Sequence, residues 1–194
     1  MSGIGDRDLS VVFVCTGNRF RSALAEHLFR AATGALPVRV SSAGTQELAP
    51  ASALPEALEL GLGLGVDLTA HRSRPLRPEM VETADLVIGF EQRHVRVAVV
   101  EGGAARERTF TAGELAALLR VAGVPAGDDP AGDARAAIAE ADRLRSRLGA
   151  KLQAAELPDP FGGTEEEYRA SMAAVDGAVR EIAFGLFGRA LPGR

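Results

Sequence analysis

Apolar and polar residues follow one another along the chain in blocks that predict strands and helices in turn. The continuous apolar run from Val11 to Val14 is typical of a short strand covered on both faces. Shorter or less regular apolar runs predict strands at Val38 to Val40 and at Leu86 to Ile88, with a weaker one at Arg108 to Phe110. These four segments are candidates for one parallel sheet.

The segments between these strands predict helices at Ala23 to Ala32, Leu54 to Gly61 and Ala112 to Val121. The last helix has the clearest pattern, because apolar residues recur every three or four positions from Tyr168 to Leu186. Such alternation predicts an α/β fold, a single three-layer domain over residues 1–194 with a central four-stranded parallel sheet and helices on both faces. Ligands of such sheets bind at the carboxyl ends of the strands.

The segment from about residue 126 to 156 interrupts the alternation. A turn-rich stretch, PAGDDP, precedes Asp133 to Ala155, which predicts an Ala-, Arg- and Glu-rich helix with no obvious packing partner. We interpret this segment as a helical insertion exposed to solvent. The alternative is an insertion that covers the site or binds a partner.

Composition narrows the classes of protein. With 194 residues and 46% hydrophobic side chains, the chain is long enough for one sizeable core. The net charge of -4, without a long run of one sign, argues against nucleic acid as a partner. No apolar stretch approaches the roughly 20 residues of a membrane span, and the first residues do not resemble a signal peptide, so we expect a cytoplasmic protein without a membrane partner.

The single cysteine, Cys15, lies where the first strand should end and the first helix should soon begin. In such a turn, successive backbone N–H groups and the helix N-terminus form a nest for anions, and Gly17 allows a tight bend. Arg21 is placed to hold two oxygens of a phosphate, and the same positive field favours a cysteine thiolate. Ser22 can donate a hydrogen bond to the sulfur, while Asn18 can hold the loop in shape. The competing interpretation of Cys15 is a small buried hydrophobic residue.

The spacing Cys-x5-Arg-Ser between a strand and a helix favours the catalytic interpretation. The stretch VCTGNRFRS resembles the signature V-C-x-G-N-x-C-R-S of the low-molecular-weight protein tyrosine phosphatases. Further similar motifs follow in family order: SAGT at 42–45, DLTAHRSR at 67–74, ADLV at 84–87 and DPFGG at 159–163. Together they cover residues 9–125 and 157–188.

The resemblance implies a general acid as well as a nucleophile. In that family an aspartate in a late Asp-Pro-aromatic motif protonates the leaving group, and Asp159 matches it, with Phe161 as a wall for an aromatic substrate. Asp129 also precedes a proline, but Ala131 stands where the family has an aromatic residue. Asp159 is therefore the predicted acid, although either aspartate can instead cap a helix from a turn.

The family mechanism implies hydrolysis through a phosphocysteine without a metal or cofactor, and the three histidines lack metal-ligand spacing. The predicted catalytic residues are Cys15, Arg21 and Asp159. The predicted phosphate-binding loop, which should also accept phosphate, sulfate or vanadate, consists of Thr16, Gly17, Asn18, Arg19, Phe20, Arg21 and Ser22. Supporting roles are expected for Asn18, Ser22, Ser42 and His71. The predicted substrate pocket includes Arg19 and Phe161.

Two residues depart from the family pattern. Phe20 replaces the usual second cysteine, so a protective disulfide to Cys15 cannot form. Arg19, at a position that lines the pocket mouth, is neither the aliphatic residue common in tyrosine phosphatases nor the threonine of the related arginine phosphatases. The first hypothesis is a protein tyrosine phosphatase acting on a phosphorylated protein or small phosphomonoester. The alternatives are a protein arginine phosphatase, an arsenate reductase using a small thiol, and a weakly catalytic module that binds phosphate or a phosphoprotein.

Overall fold

The computed structural model describes residues 8–149, 152 and 154–188, and a parallel sheet lies at the centre of this part of the chain. Its strands are β1 (Leu9–Cys15), β2 (Val38–Gly44), β3 (Leu86–Gly89) and β4 (Thr109–Thr111), in the order β2-β1-β3-β4. The predicted four-stranded parallel sheet is thus confirmed. The last strand begins after the predicted Arg108, because Arg106–Arg108 forms a turn of 3₁₀ helix.

Helices connect and cover these strands. They are α1 (Arg21–Thr33), α2 (Pro55–Gly63), α3 (Pro78–Val81), α4 (Gln92–Val100), α5 (Ala112–Ala122), α6 (Pro130–Leu148) and α7 (Glu165–Phe187). Helices α1, α2, α5 and α7 were predicted, with boundaries that differ by a few residues. Helix α4 was not, because its sequence QRHVRVAVV places valines at every second position, a pattern typical of a strand.

Strand β1 is buried on both faces, which explains its continuous apolar sequence. Val11 and Phe13 point into a large core formed with α1, α2, α5, α6 and α7, while Val12 and Val14 point into a smaller core that includes residues of α3 and α4. The Phe13 ring packs edge-on against Phe29, with ring centroids 5.6 Å apart. Helices therefore cover both faces of the sheet, as the predicted three-layer architecture requires.

Helix α6 is part of the large core, so the predicted solvent-exposed excursion is wrong. It packs against α5, α7 and β1. Its buried residues are Ala131, Ala134, Ala137, Ile138, Ala141 and Leu144. Alanine contributes little to an apolar periodicity, but its small side chain allows the helix to lie close to its neighbours. The Arg145 guanidinium of α6 lies 4.2 Å from the centroid of the Phe110 ring of β4.

The order of the strands determines where a site can form. Strand β2 lies on one side of β1 and β3 on the other, so the connections after β1 and β3 diverge at the carboxyl edge of the sheet. A crevice between diverging connections is the usual ligand site of an open α/β sheet. Both Cys15 and the loop after β3 lie at this edge. None of the helices described combines the length and apolarity needed to cross a membrane.

Candidate active site

The loop between β1 and α1 curls around the Cys15 sulfur. The backbone N–H of Asn18 donates to Cys15 Sγ at 3.3 Å, and Ser22 Oγ lies 3.0 Å from the same atom. Asn18 has a φ of 54°, in the left-handed region that asparagine tolerates better than most residues. Helix α1 then starts at Arg21, so the strand, loop and helix N-terminus follow one another as predicted.

The Asn18 side chain holds this loop in shape. Its Oδ1 accepts from the backbone N–H of Arg74 at 3.0 Å, which fixes the orientation of the amide because that N–H can only donate. Its Nδ2 donates to Ser22 Oγ at 2.9 Å and to Ser42 Oγ at 2.8 Å. Since Ser22 Oγ accepts from Asn18, its own proton is left to donate to Cys15 Sγ. Ser42 in turn donates to Glu26 Oε2 at 2.5 Å.

His71 completes the group of supporting residues that the sequence predicted. Its Nε2 lies 2.8 Å from the Asn18 carbonyl oxygen, and because that oxygen only accepts, Nε2 carries a proton. Burial lowers the pKa of His71 below its usual value, although the bond to Asn18 acts in the opposite direction. The structure therefore brings Asn18, Ser22, Ser42 and His71 together behind the loop.

Gly44 explains why the SAGT motif lies beside the loop. A Cβ at this position would lie 2.8 Å from the Thr16 carbonyl oxygen, closer than real Cβ atoms approach, and 3.1 Å from the Asn18 nitrogen, which is also a tight contact. Only glycine therefore lets the end of β2 approach the phosphate loop. The loop is then fixed by backbone bonds from Thr45 to the Cys15 carbonyl and from Gln46 to the Thr16 carbonyl.

Arg21 is almost fully buried, at 1% exposure, at the N-terminus of α1. Its Nη1 donates to Glu91 Oε1 at 2.5 Å and to the Leu157 carbonyl oxygen at 2.9 Å. Its Nη2 lies 2.5 Å from Asp159 Oδ2, but this ion pair is not aligned as a hydrogen bond, and Nη2 has no hydrogen-bond partner in the described part of the chain. Glu91 and Leu157 thus hold Nη1, while Nη2 faces the Asp159 carboxylate and can donate to an anion that takes its place.

Asp159 lies on the loop before α7, and Asp129 does not belong to the site. Asp159 Oδ1 accepts from the backbone N–H of Phe161 at 3.2 Å, and Asp159 lines the same cavity as Cys15. Asp129 Oδ1 instead accepts from the Gly132 N–H at 3.1 Å and caps the N-terminus of α6. The general-acid role predicted for Asp159 fits this placement, and the helix-capping interpretation describes Asp129.

A cavity of about 240 Å³ opens above the sulfur. Cys15 and Arg21 lie among its lining residues, which also include the apolar side chains of Leu48, Leu54 and Phe161. Phe161 is 73% exposed, so it forms part of the mouth. The predicted pocket role of Phe161 agrees with this position, and the apolar lining suits a flat aromatic group next to the phosphate loop. Helix α6 contributes no residue to the lining, so it does not cover this cavity.

The two residues that depart from the family pattern have different surroundings. Half-buried Arg19 lines the cavity, and its Nε donates to the Ser52 carbonyl at 2.9 Å, which fixes the guanidinium at the rim. The Phe20 ring packs edge-on against Tyr168, with centroids 5.1 Å apart, and is 4% exposed. Phe20 therefore contributes to the loop mainly by anchoring its backbone to α7.

Two residues after β3, one at the start of α4 and one inside it, were missed by sequence analysis. Glu91 binds Arg21, and the fully buried His94 lies with its Nε2 3.1 Å from Thr16 Oγ1. Burial raises the pKa of Glu91, but hydrogen bonds from Arg21 and Arg93 outweigh it and leave that pKa below its usual value. Both residues come just after a predicted strand, at the edge of the sheet where ligands bind, and this position indicates a role in the site.

Burial lowers the pKa of His94 to about 4, and the nearby positive charge of Arg21 contributes to this shift. In the unfolded chain the pKa is about 6.5, so between pH 6.5 and 4 the unfolded state binds a proton that folded His94 does not. Stability should therefore fall as pH is lowered through this window, by at most about 1.4 kcal/mol per pH unit from this residue.

Urea unfolding at pH 6.5, 5.7 and 5.0, above the range in which most carboxylates titrate, will measure this slope. His94→Asn provides the matched control, because asparagine removes the titrating group. The variant should lose less stability per pH unit than the wild type. Parallel pH dependences in the two proteins would contradict the assignment to His94. His71, whose pKa is also lowered, contributes equally to both proteins and cancels in the comparison.

In residues 8–149, 152 and 154–188, no group of three or more histidine, cysteine, aspartate or glutamate residues is arranged to hold a metal ion. The described residues that line the cavity bring together the Cys15 sulfur, backbone and side-chain donors of the loop, the guanidinium groups of Arg19 and Arg21, and the Asp159 carboxylate. Such a set can bind a tetrahedral anion, attack it and exchange a proton with it.

In sequence, the chain is similar to one family of phosphatases. The family model described as low molecular weight phosphotyrosine protein phosphatase matches residues 10–120. A protein-arginine-phosphatase of Bacillus subtilis is 37% identical over 105 residues, which are 53% of this chain and 69% of that protein. The low molecular weight protein-tyrosine-phosphatase Etp of Escherichia coli is 34% identical over 106 residues, covering 54% of this chain and 70% of that protein.

A solved structure extends the similarity over nearly the whole chain. The YwlE arginine phosphatase, in a form with a phosphorylated active-site serine, is 26% identical, with a TM-score of 0.63. The superposition covers 90% of this chain and 93% of that structure. The similarity therefore extends past the end of the family-model match at residue 120.

Proposed function

Because the chain belongs to the low molecular weight phosphotyrosine protein phosphatase family, we propose that it hydrolyses phosphorylated protein side chains through a phosphocysteine, with phosphotyrosine as the preferred substrate. One observation supports this proposal above others. Asp159, which is far in sequence from the loop that contains Cys15 and Arg21, lines the same cavity as these two residues, and that cavity has apolar walls. A nucleophile, an anion clamp and a carboxylic acid are the groups that this two-step reaction requires.

In the proposed first step, the Cys15 thiolate attacks phosphorus in line with the leaving oxygen. A P–S bond forms as the P–O bond breaks, and the leaving oxygen takes the proton of the Asp159 carboxyl group. The loop N–H groups and Arg21 hold the equatorial oxygens, where negative charge is spread in the transition state, and Arg21 Nη2 exchanges the Asp159 carboxylate for a phosphoryl oxygen. Because Glu91 and Leu157 already hold Nη1, the rearrangement of Arg21 on anion binding is confined to Nη2, which leaves its ion pair with Asp159.

In the second step, water attacks the phosphocysteine. Asp159, now a carboxylate, accepts a proton from that water while the P–S bond breaks, so inorganic phosphate leaves and both the thiolate and the protonated acid are regenerated. A carboxyl group that acts first as acid and then as base contributes typically about 10²- to 10⁴-fold in rate. Ser22 and the Asn18 N–H, which both donate towards Cys15 Sγ, stabilise the thiolate as the leaving group.

Phosphotyrosine is favoured as the substrate by the walls and charges of the cavity. Leu48, Leu54 and Phe161 offer apolar surface to an aromatic ring. Arg19 and Arg21 place two cations on the lining, and Asp159 is the carboxylate there. A phosphoguanidinium brings its own positive charge towards Arg19, which is unfavourable. The second candidate is a protein arginine phosphatase, favoured by the similarity to relatives of that name in Bacillus subtilis and Geobacillus stearothermophilus.

Turnover of matched phosphotyrosine and phosphoarginine peptides by one preparation tests these two candidates. We expect a higher kcat/KM for phosphotyrosine in the wild type. Arg19→Thr should raise the ratio of phosphoarginine to phosphotyrosine turnover by about fivefold or more, the size of effect that one nearby charge produces. Arg143→Thr is the matched control, because it removes a positive charge at an exposed position on α6. It should leave the ratio unchanged.

The same Arg19 charge should favour peptides with acidic residues flanking the phosphorylated side chain, and added salt should reduce that preference. A wild type that prefers phosphoarginine would make the second candidate the function of this chain. An unchanged substrate ratio in Arg19→Thr would remove Arg19 as the cause of selectivity.

A further inference from the structure

The Thr16 side chain lies between the cavity and the buried His94. Thr16 directly follows Cys15 and lines the cavity, and its Oγ1 is 3.1 Å from His94 Nε2. The mechanism described above uses only the backbone of this residue. The hydroxyl and the imidazole behind it are thus polar groups of the site that still lack a role.

The hydrogen bonds of His94 determine which ring nitrogen carries the proton, and therefore which group donates in the bond to Thr16. Its Nδ1 lies 3.3 Å from the backbone N–H of Phe90 and 3.2 Å from that of Glu91, and both of these groups can only donate. Nδ1 is therefore an unprotonated acceptor, and the proton of the neutral ring is on Nε2. Nε2 then donates to Thr16 Oγ1, so the Thr16 hydroxyl is an acceptor in this bond.

In the part of the chain that the structure describes, the hydroxyl proton of Thr16 has no acceptor. Among the residues that the structure describes, His94 is the hydrogen-bond partner of Thr16 Oγ1, and it uses a lone pair of that oxygen. A half-buried hydroxyl at the wall of the cavity thus has one donor to offer, and a phosphoryl oxygen above Cys15 would accept it.

The local fold makes room for this arrangement. A Cβ on Gly89 would lie 2.9 Å from His94 Cβ and 3.2 Å from the Val95 nitrogen, so glycine at the end of β3 allows α4 to bring the imidazole behind the loop. Charged groups of both signs surround the ring. Arg21 and Arg93 oppose protonation of the ring, whereas Glu91 and Asp159 favour it, and burial keeps the ring neutral.

We propose that the Thr16 hydroxyl is a further catalytic donor, directed at a phosphoryl oxygen of the bound substrate, and that His94 is the positioning residue that orients it. This inference rests on the proposed phosphatase function and adds a side-chain donor to the backbone donors of the loop. No proton is transferred; the hydroxyl donates one charge-assisted hydrogen bond as the phosphoryl group passes through the transition state.

Two substitutions at Thr16 separate the hydroxyl from its surroundings. Thr16→Val keeps the shape of the side chain and removes the donor, and it should lower kcat/KM roughly 10- to 100-fold, the loss expected for one hydrogen bond to a charged group. Thr16→Ser keeps the hydroxyl and should lose far less. Equal activity of the valine and wild-type proteins would overturn the proposal, as would equal losses in the valine and serine variants.

His94 is tested by variants that keep one of its two hydrogen-bonding atoms. In His94→Asn the amide oxygen can replace Nδ1 as acceptor from Phe90 and Glu91, but no atom reaches Thr16. In His94→Gln the longer side chain can place an amide N–H at the position of Nε2. His94→Asn should therefore reduce kcat more than His94→Gln, and the reverse order would contradict a positioning role.

A double-mutant cycle distinguishes positioning from simple support of the fold. If His94 acts through the Thr16 hydroxyl, His94→Asn should reduce kcat in the wild type and have little further effect in Thr16→Val. A loss of the same size in both backgrounds would mean that His94 only supports the fold. Nitrogen-15 NMR of the histidine rings in the wild type provides a measurement that needs no variant, and a proton on Nδ1 of His94 would overturn the proposal.

Measuring the binding of inorganic phosphate and of vanadate distinguishes a failure of this proposal from a failure of the proposed function. If the wild type hydrolyses no phosphomonoester, but Thr16→Val still weakens vanadate binding and Thr16→Ser does not, the proposed function fails and the donor role of Thr16 stands. If the wild type is active and Thr16→Val equals it in turnover and vanadate affinity, the proposed function stands and the role of Thr16 fails.

Discussion

Replacement of Cys15 by serine should reduce turnover of every phosphomonoester to background and leave phosphate binding largely intact. Among the described residues, the hydrogen-bond partners of Cys15 Sγ are the Asn18 N–H and the Ser22 hydroxyl. Both are suited to donate to an anion, and neither is a base that could remove a proton from a serine hydroxyl. Serine at this position would therefore stay protonated and be a poor nucleophile. The loop amides and Arg21, which bind the anion, are unchanged.

Initial rates with p-nitrophenyl phosphate and a phosphotyrosine peptide will measure the loss, and phosphorus-31 NMR titration will measure phosphate affinity. Because Cys15 is the only cysteine in the chain, alkylation of the wild type with iodoacetate gives an independent control. Alkylation should inactivate the wild type, phosphate should protect it, and mass spectrometry should find the label on Cys15. Turnover by Cys15→Ser at a substantial fraction of the wild-type rate would show that the sulfur is not the nucleophile.

The sequence contained enough information to predict the sheet and the loop, because these depend on local patterns. A continuous apolar run specified β1, and the spacing from Cys15 to Arg21 specified a turn that could bind an anion. The tight bend expected at Gly17 is instead made at Asn18: within this turn Asn18, and not Gly17, has a positive φ, as its residue type allows. The predicted supporting residues meet at Asn18 because the family motifs that contain them all pack on the same loop.

Other features could not be predicted because they depend on tertiary packing. The buried face of α6 consists mainly of alanines, so its apolar periodicity is weak although its burial is complete at several positions. Helix α4 carries β-branched residues at alternate positions, and tertiary packing overrides that local preference. His94 and Glu91 reach the loop only because β3 pairs with β1. Nothing in their own segment specifies that neighbour.

Substitution of Asp159 by asparagine should slow hydrolysis most strongly for substrates with poor leaving groups. Asp159 lines the same cavity as Cys15, so its carboxyl group, when protonated, is placed to protonate the leaving oxygen. Asparagine keeps the size of the side chain but cannot donate a proton in this way. For alkyl phosphates or unactivated aryl phosphates, the expected loss is about 10²- to 10⁴-fold. For p-nitrophenyl phosphate, whose leaving group needs little protonation, the loss in the first step should be much smaller.

A series of aryl phosphates with leaving groups of increasing pKa will measure this dependence in the wild type and in both aspartate variants. Asp159→Asn should steepen the fall of kcat/KM with leaving-group pKa, whereas Asp129→Asn should follow the wild type, since Asp129 caps α6. The second step provides a further signature: without the base that activates water, the phosphocysteine should accumulate and give a burst of phenol release with good leaving groups. If Asp129→Asn steepened the dependence and Asp159→Asn did not, Asp129 would be the acid, and the ion pair between Arg21 and Asp159 would be only structural.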